Sequence, residues 1–479
     1  MNPTLRCYTL VMCTTLLACC SSNDETVSDS TEIAWNTCTD NSQLQCAELT
    51  VPMTYDGLST ETITLGLNRR PASGDNKRGV LLFNPGGPGG SGMQVLDLLV
   101  QLGTIPDVIL SDYDLIGFDP RGIGQSTAVD CQEFGINEQL SYIVDRADID
   151  EFLTTVTTIA SQCSDKHGSY LQHLGSINVV RDMDEIRRAL NEDKLNFIGY
   201  SYGTRLAALY LQTYPENSGY MVLDGSMHPS SENIALIEGS IPAMVRNLES
   251  LLSQCTRITP GCEVNALLNR LENRIEFLNQ QGETEELLLV GELVLLGARD
   301  PVLGDFLVAP LINYLQNFNT SGLQDFVALF DALLGQGEEQ DDDNITARTA
   351  VLCADDATRP TAELLEQKLT DFNLLSDLFA EAYIGFAGSC AGWPEALEPL
   401  ATIQTQTAPA SLVIGGTTDA QTPLFWSEVM ANAIGGHYLE SQHPGHTTVF
   451  TDQSDCVNDL VVKFLVNGEL PQVASCPAN

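Results

Sequence analysis

The pentapeptide Gly199-Tyr200-Ser201-Tyr202-Gly203 is the part of the chain whose residue types most directly predict chemistry. A serine spaced in this way between two glycines is typical of a sharp turn that joins a strand to a helix and exposes the hydroxyl as a nucleophile. The apolar run at 195–198 favours a strand before the turn, and the spacing at 206–214 favours a helix after it. We therefore predict a nucleophilic Ser201, with a chance Gly-Ser-Gly turn as the alternative.

A serine nucleophile needs a base that takes its proton and a carboxylate that orients the base. Asp419 follows a predicted strand at 411–415, and His446 follows another at 438–440. Where such a serine turn lies in an α/β sheet, the acid and then the histidine follow the nucleophile along the chain. The order predicts a catalytic triad of Ser201, Asp419 and His446. The alternative for Asp419 is an ordinary turn carboxylate, which is common beside Gly and Thr.

Few residues compete with His446 as the base, because the chain contains only six histidines. His437 precedes the short strand, and His443 lacks the glycine that precedes His446. The other three come before the predicted acid and are interpreted as surface or packing residues: His167, His173 and His228.

A glycine-rich loop, Asn-Pro-Gly-Gly-Pro-Gly-Gly-Ser-Gly at 84–92, follows a predicted strand at 79–83. Backbone N–H groups in such a loop can turn towards a ligand, and in this arrangement one of them pairs with the N–H after the nucleophile to bind an oxyanion. We predict these donors to be Gly87 and Tyr202. A flexible turn is the alternative, whereas a phosphate-binding loop would require a Gly-Lys-Ser/Thr that is missing here.

The elements that position these residues alternate between strand and helix. Predicted strands at 61–70, 79–83, 113–118, 195–198 and 220–223, with helices at 178–190 and 206–214, indicate an α/β fold with a mostly parallel, doubly wound sheet. Six helical segments follow without a clear strand: 241–252, 264–278, 285–296, 306–318, 323–334 and 362–378. Strand and helix return at 411–415 and 424–434. We predict an α/β domain at 36–228 and 403–479, with a helical cap inserted at 229–402.

The N-terminus predicts export. Residues 1–18 have a short basic start and an apolar stretch too brief for a membrane span, as in a signal peptide. Leu16-Leu17-Ala18-Cys19 resembles a bacterial lipobox, which implies a lipid anchor at Cys19, with ordinary secretion as the alternative. Residues 19–35 are predicted to form a flexible tether.

The number of cysteines and the net charge restrict the cellular compartment and the classes of binding partner that we expect. Ten cysteines remain after the N-terminal four, and an oxidising compartment would let sequence neighbours pair: Cys38 with Cys46, Cys131 with Cys163, Cys255 with Cys262, Cys353 with Cys390, and Cys456 with Cys476. The absence of Cys-x-x-Cys disfavours a metal site. A net charge of −42 disfavours nucleic acid and anionic lipid as partners.

Several motifs together resemble a known family. The Gly-Gly-Pro-Gly-Gly-Ser-Gly loop, Asp-Pro-Arg-Gly-Ile-Gly-Gln-Ser at 119–126, the Ser201 turn, Val-Leu-Asp-Gly at 222–225 and Asp-Ala-Gln-Thr-Pro at 419–423 occur in that order. The chain is similar to the bacterial tripeptidyl aminopeptidases, relatives of the prolyl iminopeptidases, from about residue 40 onwards. The resemblance implies the α/β-hydrolase fold with a cap above the active site. Iminopeptidase relatives carry His where Pro85 stands, a departure from the proline-specific pattern.

The resemblance also implies the activity: a secreted serine exopeptidase that releases short peptides or single residues from a free N-terminus, without metal or cofactor. A carboxylate must then bind the substrate amine, and Asp355 in Cys-Ala-Asp-Asp is our candidate. A solvated, helix-capping Asp355 is the alternative. Peptides are the expected partners, and the membrane is reached only through Cys19. A carboxylesterase or lipase with the same triad, or a non-catalytic surface binding protein, are the alternative functions.

Overall fold

The computed structural model describes residues 33–131, 143, 145–230, 232–334, 341–405, 411–451 and 453–479, without the side chains of 330–334 and 341–344. The predicted signal peptide, the lipidation site Cys19 and most of the predicted tether lie outside the described residues. Among the described helices, none is long and apolar enough to cross a membrane.

One ten-stranded sheet forms the centre of the α/β domain. Its strands are β1 (Asn36–Thr37), β2 (Gln45–Pro52), β3 (Thr62–Arg70), β4 (Gly79–Asn84), β5 (Tyr113–Phe118), β6 (Leu195–Tyr200), β7 (Ser218–Asp224), β8 (Ser411–Gly416), β9 (His437–Ser441) and β10 (Ser475–Cys476). Their spatial order is β1-β2-β3-β5-β4-β6-β7-β8-β9-β10. The pairs from β5 through β10 are parallel, and those among β1, β2, β3 and β5 are antiparallel. The predicted mostly parallel sheet is confirmed.

Sixteen α-helices lie among the described residues. They are α1 (Gly92–Leu102), α2 (Asp107–Asp112), α3 (Arg146–His167), α4 (Ser176–Ala189), α5 (Gly203–Thr213), α6 (Asn233–Ser253), α7 (Cys255–Ile258), α8 (Val264–Gln281), α9 (Thr284–Arg299), α10 (Pro301–Asn317), α11 (Ser321–Leu334), α12 (Asp341–Asp355), α13 (Ala362–Asn373), α14 (Asp377–Gly388), α15 (Leu424–Ile434) and α16 (Asp455–Asn467).

Each face of the sheet is covered by helices. One hydrophobic cluster joins it to α4, α5 and α15, and another joins it to α1, α2 and α16. Strands β4, β5, β6 and β8 are buried along their whole length, as their mostly apolar sequences predict for the centre of a parallel sheet. Their parallel arrangement brings the carboxyl ends of β6, β7 and β8 to the same edge of the sheet.

A third hydrophobic cluster forms the core of the helical region between β7 and β8. The helical run predicted there is present, but the single helix predicted over 362–378 is two helices, because the first ends at Asn373 and the next begins at Asp377. The Ser376 hydroxyl accepts a hydrogen bond from the Phe379 N–H and caps the second helix. Helix α3, from the first half of the chain, adds Phe152 and Val156 to this core, so the core includes residues from outside the segment between β7 and β8.

Five disulfides confirm the predicted pairing of sequence neighbours: Cys38–Cys46, Cys131–Cys163, Cys255–Cys262, Cys353–Cys390 and Cys456–Cys476. The pair Cys353–Cys390 ties α12 to the chain just after α14, and both helices contribute to the cavity described below.

Candidate active site

The Ser201 turn has the geometry that its glycines predict. Strand β6 ends at Tyr200, Ser201 has a positive φ of 53°, and α5 begins at Gly203. A Cβ atom on Gly203 would lie 2.6 Å from the Asn84 carbonyl oxygen, so the turn can pack this closely only without a side chain there. The Ser201 N–H donates to the Asp224 carbonyl oxygen at 2.9 Å. The strained residue is thus fixed at the carboxyl edge of the sheet, as a nucleophile elbow requires.

The predicted acid and base meet at the same edge. The Nδ1 atom of His446 lies 2.8 Å from Oδ2 of Asp419, whose side chain is buried. The other oxygen of Asp419 accepts hydrogen bonds from the N–H groups of Gln421 and Thr422, both at 2.9 Å. Because its acceptor positions are occupied in this way, the carboxylate holds the imidazole in one orientation.

The pKa of His446 reflects two opposing effects. Burial lowers it, but the charge of Asp419 and the hydrogen bond to that carboxylate outweigh burial, and the pKa is raised above its usual value. Ser201 and His446 line one cavity, although no direct hydrogen bond joins them in this conformation. Such bonds often tighten only when substrate is bound.

Asp224 anchors the loop that carries His446. It ends β7, and its Oδ2 atom accepts the N–H groups of Thr448 at 2.6 Å and Val449 at 2.7 Å. Burial raises the pKa of Asp224 to about 6. The Val-Leu-Asp-Gly motif was noted in the sequence, but the role of its aspartate depends on a contact with a distant loop that no local pattern encodes.

The predicted oxyanion donors also border the cavity. A Cβ atom on Gly86 would lie 2.5 Å from the Tyr200 carbonyl oxygen and 2.7 Å from the Tyr202 nitrogen, so the glycine-rich loop runs directly against the Ser201 turn. Gly87 and Tyr202 both line the cavity with Ser201. Neither of their N–H groups donates a hydrogen bond to another residue that the structure describes.

Asp355 occupies a different place from the one the sequence suggested. It ends α12 and is buried, so it is not a solvated capping residue. Its carboxylate accepts the Tyr202 hydroxyl at 2.7 Å and both the N–H and the hydroxyl of Ser176 at 2.6 Å. The residue is not among those that line the cavity. The carboxylate therefore holds the Tyr202 side chain in place, and it is already engaged by hydrogen bonds from Tyr202 and Ser176.

The cavity has a volume of about 630 Å³, within the usual range for binding sites of small ligands. Its floor is the Ser201 turn, the glycine-rich loop and His446, and its walls are helices α3, α6, α12 and α14. Most of the lining is apolar, as in Phe152, Ile237, Leu352, Phe386, Trp393 and Trp426. Two arginines, Arg299 and Arg348, face the same space. Among the described lining residues there is no Asp or Glu.

The arginines were not singled out in the sequence. One signal was present: Ile345, Arg348 and Leu352 are spaced three and four residues apart, which places Arg348 on the apolar face of a helix. All three line the cavity.

Comparison with known proteins identifies the family. Residues 79–453 match the family model described as the alpha/beta hydrolase fold. The chain belongs to the α/β-hydrolase family. It is 28% identical to serine protease Hip1 of Mycobacterium tuberculosis, over 89% of this chain and 86% of that protein. It is 36% identical to a tripeptidyl aminopeptidase of Streptomyces lividans, over 40% of this chain and 37% of that protein.

A third relative has a different activity in its name. Carboxylesterase B of Mycobacterium tuberculosis is 29% identical, over 91% of this chain and 88% of that protein. Together, the family match and the serine protease and aminopeptidase relatives identify this chain as a serine hydrolase.

Proposed function

We propose that the protein is an exported serine exopeptidase that releases short peptides or single residues from the free N-terminus of peptides. The observation that carries this proposal is the position of Ser201 and His446 at the bottom of a cavity walled by cap helices. A cavity of this size admits the end of a peptide more readily than the middle of a folded chain. The serine protease and aminopeptidase relatives support a peptide substrate.

The mechanism is acyl transfer. His446 accepts the Ser201 proton as the oxygen attacks the scissile carbonyl carbon, and Asp419 stabilises the resulting imidazolium. The N–H groups of Gly87 and Tyr202 donate to the oxyanion. The imidazolium then protonates the leaving amine. In the second half, His446 takes a proton from water, the hydroxide attacks the acyl carbon, and the proton returns to Ser201 as the product acid leaves.

Asp355 contributes to this mechanism through Tyr202. Because its carboxylate accepts the Tyr202 hydroxyl, it restrains the residue whose backbone N–H we assign to the oxyanion. This replaces the role of amine binding that the sequence suggested for it.

A carboxylesterase is the second candidate. An aminopeptidase needs acceptors for a substrate ammonium group, and the described cavity lining contains no carboxylate. The relationship to carboxylesterase B also favours this candidate. It shares the triad and the oxyanion donors and differs only in the substrate.

A panel of chromogenic substrates separates the two activities. It contains the p-nitroanilides of a free-amine tripeptide, the same tripeptide acetylated, proline and alanine, together with a short p-nitrophenyl ester. We expect release of p-nitroaniline from the free tripeptide, strong loss on acetylation, and no release by Ser201→Ala. Cleavage of the ester with no anilide turned over would assign the protein to the esterases.

Export is part of the proposal, and it is supported by the lipobox-like sequence at Cys19 and by the five disulfides, which persist in oxidising compartments. With a lipid anchor, the full chain should fractionate with membranes, and Cys19→Ala should move it to the soluble fraction. Soluble behaviour of the unsubstituted chain would leave ordinary secretion instead.

A further inference from the structure

The two arginines of the catalytic cavity lack an acidic partner among the residues that the structure describes. Arg299 and Arg348 form no ion pair with any carboxylate that the structure describes. Other described arginines, such as Arg205 and Arg270, also form no ion pair, but Arg299 and Arg348 both line the cavity that contains Ser201 and His446. Two guanidinium groups that line this cavity without a carboxylate partner among the described residues suggest that a substrate supplies the partner.

Arg348 is the more isolated of the two. It is half-buried on the cavity face of α12. Its guanidinium carbon lies over the Phe386 ring, 6.0 Å from the ring centroid. Burial, and next the charge of Arg299, lower the pKa of Arg348 to about 10. The side chain therefore remains a cation at neutral pH, and none of its five N–H donors forms a hydrogen bond with a described residue.

Arg299 links this cation to the reaction centre. It ends α9, and its Nη2 atom donates to the Gln421 side-chain oxygen at 2.8 Å, two residues after the triad acid. Its charge is close enough to oppose the rise in the pKa of His446. A group bound between Arg299 and Arg348 would thus lie near the scissile bond.

A neutral donor lies beside the two cations. Tyr383 on α14 lines the cavity, and the charges of both arginines act on its hydroxyl. Burial, the largest effect, raises the pKa of Tyr383, so the hydroxyl keeps its proton. It forms no hydrogen bond within the described part of the chain, which leaves it available to a ligand.

We propose that Arg299, Arg348 and Tyr383 form a carboxylate-binding subsite, so that the substrates of this enzyme are short peptides that carry a carboxylate close to the cleaved bond. Guanidinium groups bind carboxylates through paired, charge-assisted hydrogen bonds, which gain strength in a cavity that excludes water. Two sources share this chemistry: the side chain of Asp or Glu, and the C-terminal carboxylate of a short leaving peptide. The inference rests on the proposed peptidase function.

The test compares matched substrates that differ only in the carboxylate. One arm uses free-amine tripeptide p-nitroanilides with Glu or Gln at each position in turn. The other uses tetrapeptides with a free or an amidated C-terminus. For one of the two sources we expect kcat/KM to be about 10- to 100-fold higher with the carboxylate, the range of a hydrogen bond to a charged group. All assays use the same ionic strength, so that the repulsion between the acidic protein surface and the charged substrates stays constant.

Substitution of Arg348 tests whether the subsite causes the preference for substrates with a carboxylate. In Arg348→Gln the ratio between charged and neutral partners should fall towards one, and in Arg348→Lys part of it should remain. A general loss of activity cancels, because the ratio is taken within each variant. The matched control is Arg188→Gln, an exposed arginine on α4, which should keep the wild-type ratio. Equal turnover of charged and neutral substrates by the wild-type enzyme, or a preference that survives Arg348→Gln, would overturn the proposal.

Failure of the peptidase function has a separate signature. If no free-amine peptide is cleaved, the same ratio is taken between p-nitrophenyl hemisuccinate and p-nitrophenyl butyrate, which differ in a terminal carboxylate. A preference for hemisuccinate that is lost in Arg348→Gln would keep the subsite and reject the peptidase. Equal turnover of both esters would reject the subsite as well.

Discussion

Arg121 on the sheet side of the molecule and Arg348 on the cap side differ in their contacts. On the sheet side, Arg121 is fully buried and binds Asp182 through two hydrogen bonds, at 2.6 and 2.7 Å, and it donates further to three backbone carbonyl oxygens. On the cap side, Arg348 has no carboxylate partner among the described residues. The first arrangement fixes two loops against each other. In the second, Arg348 lines the cavity without a described carboxylate partner, which suits the binding of a ligand.

The same contrast applies to the acidic residues that surround the reaction centre. Asp419, Asp224 and Asp355 each accept two or more hydrogen bonds, and each holds an element of the proposed machinery: the imidazole, the loop after it, and Tyr202. Groups that must keep one geometry are fully engaged by their neighbours. Arg348 and Tyr383, which we propose to bind the substrate, form no side-chain hydrogen bond with the described residues, and such unsatisfied groups have a cost in stability.

Loss of the triad carboxylate should give the largest effect. Asp419→Asn removes the charge and can present a donor to Nδ1 of His446, which favours the wrong tautomer. We expect kcat to fall roughly 10⁴-fold, the size of this effect in serine peptidases. The measurement is steady-state kinetics on the best substrate of the panel, with Asp40→Asn, an exposed carboxylate, as control. A loss of less than about tenfold would contradict the role of Asp419.

The residual activity of Asp419→Asn should also show a shifted pH profile. His446 must be neutral to accept the proton, so kcat/KM falls as the pH drops through its pKa. In the wild-type enzyme Asp419 raises that pKa, so the fall should occur above the ordinary value for histidine. Without the charge, it should move to lower pH. A fall at the same pH in both enzymes would argue against the contact.

Substitution of the two arginines should change the free energy of unfolding in opposite directions. Arg121→Met leaves Asp182 buried without its partner and should lower the free energy of unfolding by about 3–5 kcal/mol. Arg348→Met removes a cation that no described carboxylate neutralises, and it should raise the free energy of unfolding by about 0.5–2 kcal/mol. Urea denaturation of the oxidised proteins measures both.

An exposed arginine provides the control for that comparison. Arg188→Met on α4 should change the free energy of unfolding by less than about 0.5 kcal/mol. If Arg348→Met destabilised the protein as much as Arg121→Met, Arg348 would have a structural role, and the difference between the two sides of the molecule would disappear.

Local patterns in the sequence were sufficient for the Ser201 turn and most of the sheet. The turn is encoded by five consecutive residues, and β5 and α15 begin and end where their apolar spacing predicts. Helix α3 was missed, although its buried residues Phe152, Val156, Ile159 and Cys163 recur at helical spacing. Its packing against the cap is a tertiary contact, so its contribution to the cavity could not be predicted from the segment alone.

The substrate side of the site was harder to predict for the same reason. Asp355 resembled an amine-binding residue in its local sequence, but its partner Ser176 comes from a distant part of the chain. Arg299 and Arg348 lie on different helices, and only the folded cap brings them to one cavity. Polar residues whose roles depend on such contacts cannot be assigned from spacing alone.

The most direct test of the central claim, a serine hydrolase that uses Ser201, is labelling with a fluorophosphonate probe followed by peptide mass spectrometry. We expect a single phosphonylated serine, Ser201. Labelling should be abolished in Ser201→Ala and greatly slowed in His446→Ala. The control Ser253→Ala, at the exposed end of α6, should have no effect on labelling. Absence of labelling in the folded wild-type protein, or labelling at another serine, would contradict it.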